Sequence, residues 1–435
     1  MLPLLNIQVY FQLLCCPISP RSLLGGEETA VAESGHNCRA ACTKELGGNI
    51  LIWGASGFTG ARLITYLAQN APEDVKIAVG GRSEYKVEAT QRRIIANNPE
   101  LKDRVKSMDV LVGSVSNEKR IREIVAQTRV VATTVGPYAL HGSELVRACV
   151  EEKTDYCDIT GEVPWVKKMH DELNDKAVRN KVHIASFCGF DSIPADIGCF
   201  MLAEYAKQKL DKPLLHVKGS ITRVRGGVSG GTLATAIEQI GDFKTILSEK
   251  FLGSEESTDT EKTLRNPTFN RSMIHYDNHV KRWQTFWIMG EVNNRVAGWA
   301  GQVLNYGPRF TYSESMSAYN VIHAVLVPIA FIRNLLFALS IIPRPGSGPR
   351  FTDEGSAVYG KVVGTSDPGY GETIKYLGES ALCLALDRDS SFKPGVYPPS
   401  IIMGNALLSR LRSRGCQFEV SNTPIESSKR KKHTQ

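Results

Sequence analysis

The stretch "NILIWGASGFTGARL", Asn49 to Leu63, constrains this chain most: an apolar run breaks at Gly54, Gly57 and Gly60, then resumes as a helix. Leu63, Ile64 and Leu67 fall on one face of that helix. A strand that enters a helix through G-x-x-G-x-x-G is the opening of a dinucleotide-binding βαβ unit. Side chains at the glycines would hold the backbone away from a pyrophosphate. The helix start offers unpaired N–H groups and the positive end of a dipole. Ser56, Phe58 and Thr59 sit between the glycines and share the expected phosphate contact. A plain structural turn would use the same glycines, so the reading depends on the pattern downstream.

From Val75 onward the chain alternates between strand and helix. Short apolar strands are expected at Val75–Val79, Val110–Val112, Val130–Thr134, Tyr156–Ile159 and Val182–Phe187. Helices are expected from Ser83 to about Asn97, around Ile121–Val125, over Ser143–Glu152 and around Trp165–Asn180. This spacing predicts an α/β fold, a doubly wound parallel sheet covered on both faces, over residues 49–200.

The second strand selects the dinucleotide. NAD-binding proteins end that strand with an acidic residue for the ribose 2′-OH, whereas this one ends in Gly80, Gly81, Arg82 and Ser83. An arginine there can pair a 2′-phosphate, so NADP(H) is the expected cofactor. The alternative is a solvent-exposed arginine at a helix start.

The substrate should lie outside the carboxyl ends of the strands. Val135, Gly136, Pro137 and Tyr138 leave the fourth strand there and should approach the nicotinamide, with His141 just beyond. Glu162 comes after the fifth strand and Asp191 after the sixth. Tyr138, His141, Glu162 and Asp191 can each donate or accept a proton. Tyr138 is the preferred donor with His141 as a relay, and Glu162 and Asp191 are next. Each has a plainer alternative: packing for Tyr138, a loop position for His141, helix capping for the two acids. There is no Tyr-x-x-x-Lys in the expected place.

At 435 residues the chain suits two or three domains. Beyond the first, residues 201–360 read as an α+β region with the glycine-rich "RGGVSGGT" and a polar loop at Ser254–Arg271. Residues 361–420 return to helical periodicity. Residues 1–48 lack both a basic start and a sustained apolar core, so a poorly ordered extension is expected rather than a secretory signal. Of the net charge of +7, the tail residues Lys429, Arg430, Lys431 and Lys432 supply +4. The remainder is only mildly basic, and no nucleic-acid partner is expected. The tail, 421–435, reads as a solvated end, with an acidic membrane surface or an import receptor as alternatives. The ten cysteines form no C-x-x-C pair, which points to buried thiols in an intracellular, reducing compartment and to no metal site.

Several segments carry a family likeness: "GASGFTG", "GGRS", "TRVVATTVGPYALHGSELVRACVE", "YCDITGEVPWV", "CGFDSIPADIG", "SGGT", "DPGYGET" and "GNALLSRLRSRGCQFEV". From about Asn49 to Val420 the chain resembles the saccharopine dehydrogenase-like oxidoreductases, including the bacterial trans-acting enoyl reductases of phenolic glycolipid synthesis. The resemblance implies an NADP-type Rossmann domain with an inserted α+β domain and C-terminal helices that return to the first. It also implies an NADPH-dependent reduction of a C=C, C=N or C=O bond in a lipid-derived substrate. Lipid metabolism, membrane or lipid-droplet surfaces and homodimers are associated with the family. The rival reading is an NADP-binding lipid-surface protein without chemistry. Ser114 stands where the family often has an acidic residue after the third strand.

Val321 to Ile342 is the most apolar stretch, yet Arg333 lies near its middle. A charge there costs about 2.5–3.5 kcal/mol on insertion, and Pro328 and His323 add to the penalty. A spanning helix is disfavoured. A core helix pair and a broken hairpin in one leaflet both remain, and Arg344, Arg350 and the family's lipid association favour the second.

Overall fold

A computed structural model of the chain describes residues 7–15, 48–223, 274–277, 282–285, 287, 289–307, 310–318 and 356–421. The "RGGVSGGT" loop, the polar stretch 254–271, the apolar segment 321–342 and the basic tail beyond 421 lie outside these residues.

The first sheet begins with β2 (Gly48–Trp53), β3 (Ile77–Gly81) and β4 (Asp109–Val112). It continues through β5 (Thr128–Thr133), β6 (Asp155–Asp158), β7 (His183–Ala185) and β13 (Gly395–Tyr397). Every pairing is parallel, in the order β13-β7-β6-β5-β2-β3-β4. Without β13 this is the 3-2-1-4-5-6 order of a doubly wound nucleotide-binding sheet. Helices cover both faces, so Ile50, Leu51 and Ile52 are buried in succession, without the alternation of a half-exposed strand. The helix Phe58–Asn70 lays Leu63, Ile64 and Leu67 on the sheet. Ser83 starts the helix Glu84–Asn97, its hydroxyl accepting from the Lys86 N–H at 3.4 Å.

One strand is shorter than its apolar run predicts. β7 stops at Ala185 because Asp158 captures the next residues: its carboxylate accepts from Phe187 N–H (3.2 Å) and Ser186 hydroxyl (3.2 Å). Phe187 is held at φ +69°, a left-handed conformation that cannot continue a strand.

The second sheet consists of β1 (Ile7–Cys15), β8 (His216–Arg223), β9 (Ile274–Asp277), β10 (Arg282–Thr285), β11 (Thr311–Ala318), β12 (Ser356–Gly364) and β14 (Gln417–Ser421). It is mixed, in the order β14-β12-β1-β8-β11-β10-β9. Within the stretch 1–48, expected to be a poorly ordered extension, residues 7–15 form a strand between β12 and β8, and residues 1–6 and 16–47 lie outside the described residues. The run "IQVYFQLLC" is rich in aromatic and branched residues, which favour strands, and its partners lie hundreds of residues away.

The expected boundary at residue 200 falls inside the helix Ile193–Tyr205, and residues 361–420 serve both sheets rather than one. Their helix Thr373–Leu386 packs on β5, β6 and the helix Phe58–Asn70. The buried Glu379 fastens it, accepting from Tyr66 Oη (2.7 Å), Arg410 (2.9 Å) and Arg414 (2.9 Å). Removing one partner of such a buried ionic cluster costs about 3–5 kcal/mol, because the remaining charge stays desolvated.

Candidate active site

The site is laid out along the carboxyl edge of the first sheet. Neighbouring strands β3, β2, β5, β6 and β7 deliver, in that order, Arg82, the Gly54–Gly60 turn, Val135–Tyr138, Glu162 and Asp191.

The glycine turn fits a bound pyrophosphate. Gly54 has φ +91°, and a Cβ on it would lie 2.6 Å from Val135 Cγ2. A Cβ on Gly60 would overlap the Gly54 carbonyl, with the Gly54 carbonyl carbon at 2.9 Å. Gly57 begins the helix Phe58–Asn70 with no side-chain cap, so its first N–H groups remain for a ligand. Ser56, Gly57 and Phe58 are exposed at this turn, and Thr59 is half-buried. Phe58 meets the Tyr370 ring edge-on at 4.7 Å, and the Arg62 guanidinium lies 3.5 Å from the Phe58 ring centre.

Arg82 is exposed and has no hydrogen bond or ion pair among the described residues. It is left uncommitted at the end of β3, whereas Ser83 is occupied as the helix cap. Ser114 pairs its hydroxyl with Ser116 at 2.8 Å in the loop after β4.

Tyr138 is not where a proton donor must be. Its side chain is buried against Trp165, with ring centres 5.5 Å apart. The hydroxyl donates to the Thr133 carbonyl (3.3 Å) and accepts from Ile159 N–H (3.4 Å). Burial, and next the Asp158 charge, push this phenol well above its ordinary value. The reason is directional: the chain turns into the short helix Tyr138–His141, and the aromatic ring swings under the sheet edge. His141 points to solvent at the other end of that helix, so the expected relay is not assembled. Val135, Gly136 and Pro137 stay partly or fully exposed at the edge.

Glu162 is committed to structure. Its two carboxylate oxygens accept from the N–H groups of Tyr138 (2.8 Å) and Ala139 (2.7 Å), capping that helix from the neighbouring strand.

Asp191 differs from the other three. Asp191 is exposed, and no hydrogen bond reaches its carboxyl group among the described residues. The protein packed on one side of it raises the carboxyl above its ordinary value by partial desolvation. Three strand spacings, about 14 Å, separate its strand from the glycine turn.

Two residues here were not foreseen from the sequence. Asn293, on the helix Met289–Val303, donates from Nδ2 to the Asp191 carbonyl (2.8 Å) and to Glu314 Oε2 on β11 (2.7 Å). Glu314 is pushed up to about 7, first by burial and also by the nearby Asp191 charge, while Asn293 and Tyr312 act in the opposite direction. Nothing local marks either residue; they meet Asp191 only because the second sheet docks on this edge.

A parallel nucleotide sheet, a glycine cradle without room for side chains and a free arginine at the end of β3 define an NADP-dependent oxidoreductase. Residues 50–184 match the sequence model of the saccharopine dehydrogenase NADP binding domain. A Mycobacterium tuberculosis protein provisionally named as a trans-acting enoyl reductase is 30% identical over 418 residues, covering 86% of this chain and 97% of its own. The trans-acting enoyl reductase of Mycobacterium ulcerans is 29% identical over 411 residues, covering 84% and 96%. Among solved structures, apo saccharopine dehydrogenase (L-Glu forming) from Saccharomyces cerevisiae aligns with 13% identity and a TM-score of 0.47, over 86% of this chain and 99% of its own. The chain belongs to the saccharopine dehydrogenase-like oxidoreductase family, and its cofactor is NADP(H).

Proposed function

We propose that the protein uses NADPH to reduce a conjugated carbon–carbon double bond in a lipid-derived acyl substrate. The observation that carries this reading is the extent of the likeness to mycobacterial trans-acting enoyl reductases, which covers 97% of one such relative. It therefore runs through the second sheet as well as the nucleotide domain.

The residues suit the chemistry. When bound, NADPH would supply a hydride to the β-carbon of an unsaturated acyl group whose neighbouring carbonyl would spread the resulting charge. The glycine cradle and Arg82 hold the nucleotide. Val135, Gly136 and Pro137 flank its reactive end, and the acidic edge at Asp191 faces the acyl group.

The lipid character of the substrate is supported by the apolar run Val321–Ile342, which Arg333 and Pro328 suit to one leaflet better than to a span. No described helix is long and apolar enough to cross a membrane. Binding to a membrane or lipid-droplet surface is the partner interaction we infer. Flotation with anionic liposomes that is lost on deleting residues 321–342, with NADPH binding retained, supports it; retained flotation of the deletion refutes it.

The reaction itself is tested by NADPH oxidation with a long-chain enoyl thioester, a matched ketone and a matched imine. Turnover is expected with the enoyl thioester. Turnover confined to the ketone or imine replaces the substrate class, and none with any of the three removes the proposal.

A further inference from the structure

The hydride step leaves an enolate, and the α-carbon then needs a proton. The sequence offered four groups for this, and the geometry leaves one. Tyr138 is buried with its hydroxyl engaged by backbone, Glu162 caps a helix with both oxygens, and His141 points to solvent. Asp191 alone stands at the carboxyl edge with its carboxyl group uncommitted among the described residues.

Its surroundings are built rather than incidental. The buried Asn293 clamps the Asp191 backbone to the Glu314 side chain, at 2.8 Å and 2.7 Å. That joins the β7 loop of the nucleotide domain to β11 of the second sheet. Ser192 Oγ and Asn293 Oδ1, on residues only 1% exposed, have no hydrogen-bond partner among the described residues.

We propose that Asp191 delivers the proton to the α-carbon and that Glu314, held by Asn293, is the reserve that refills it. This rests on the enoyl reading of the function. The Asp191 O–H bond breaks as the new C–H bond forms, and the enolate collapses to the saturated acyl product. The Asp191 carboxylate then takes a proton from Glu314, directly or through water, and solvent reprotonates Glu314. One proton from solution is consumed per hydride, as the reduction requires.

The electrostatics suit a shared proton. Asp191 on the loop, Tyr312 and Glu314 on β11, Asn293 on its helix and Cys199 on the helix Ile193–Tyr205 face one another, and no cation contributes to either carboxyl. A charge on Asp191 makes the buried Glu314 harder to ionise, which favours a proton on that side chain. Asp191 is the catalytic acid and Glu314 a positioning residue that acts through it.

The test uses the full chain with Asp191→Asn and Glu314→Gln, each close in shape to the original. Both should bind NADPH, followed by fluorescence, as the wild type does. Asp191→Asn should lower enoyl turnover about 100-fold or more, the lower range for a general acid. Glu314→Gln keeps the acceptor for Asn293 and removes the charge, so it should move the alkaline limb of kcat/KM to lower pH. Infrared difference spectra near neutral pH, wild type minus either variant, should contain a protonated-carboxyl band. Turnover of Asp191→Asn within a few-fold of wild type, or an unmoved limb in Glu314→Gln, overturns the proposal. If the wild type reduces no enoyl substrate, the functional reading fails by itself, and the infrared spectra still decide whether the pair holds a proton.

Discussion

Replacing Arg82 by alanine separates cofactor recognition from folding unusually cleanly. Arg82 has no intramolecular partner among the described residues and is exposed, so its loss should change stability by no more than about 0.5 kcal/mol. Its effect should fall on the 2′-phosphate. A charge-assisted contact contributes about 1.5–3 kcal/mol, which corresponds to about a 10- to 150-fold weaker Kd for NADPH. NADH has no 2′-phosphate, and its Kd should stay within about two-fold. Fluorescence titration of wild type and Arg82→Ala with both nucleotides, beside thermal unfolding of each apo protein, provides the measurement. Equal weakening for both nucleotides, or a wild-type preference for NADH, would refute the reasoning.

Gly60→Ala should abolish tight NADPH binding, since the new Cβ overlaps the Gly54 carbonyl that shapes the phosphate turn; titration to within ten-fold of wild type contradicts this. Tyr138→Phe should cost about 1 kcal/mol of stability from weak hydroxyl bonds and leave turnover within a few-fold, where a hundred-fold loss would restore Tyr138 as the donor. Burial pushes the Asp158 and Asp196 carboxyls from 3.8 up to about 7. Between those values the folded chain holds protons that the unfolded chain has released, so this contribution to stability falls as pH rises through the window. The thermal midpoint should decline accordingly, less steeply in Asp196→Asn, and an equally steep decline in that variant would contradict the assignment.

The parts of the site written in the sequence are those fixed by local backbone. Gly54, Gly57 and Gly60 are legible because a tight strand-to-helix turn requires them at that spacing, and Arg82 because it comes directly after a strand end. The facing of Tyr138 was not legible. A strand-end position brings a residue to the sheet edge, while the next turn decides whether its side chain points out or under. Asn293 and Glu314 carry no local mark at all, since they reach Asp191 through the docking of a second sheet assembled from residues 7–421. β1 was hidden for the same reason: Gln8 and Gln12 break its apolar run, and its partners, 216–223 and 356–364, are remote in the chain.

The most direct test of an NADPH-dependent enoyl reduction traces the hydride. Wild-type protein incubated with NADPH carrying deuterium at the nicotinamide C4, and with a long-chain enoyl thioester, should place one deuterium on the β-carbon of the saturated product. The α-carbon hydrogen should come from solvent. With both C4 hydrogens replaced by deuterium, saturated product that carries no deuterium, or that forms without NADPH, would contradict an NADPH-dependent reduction at this site.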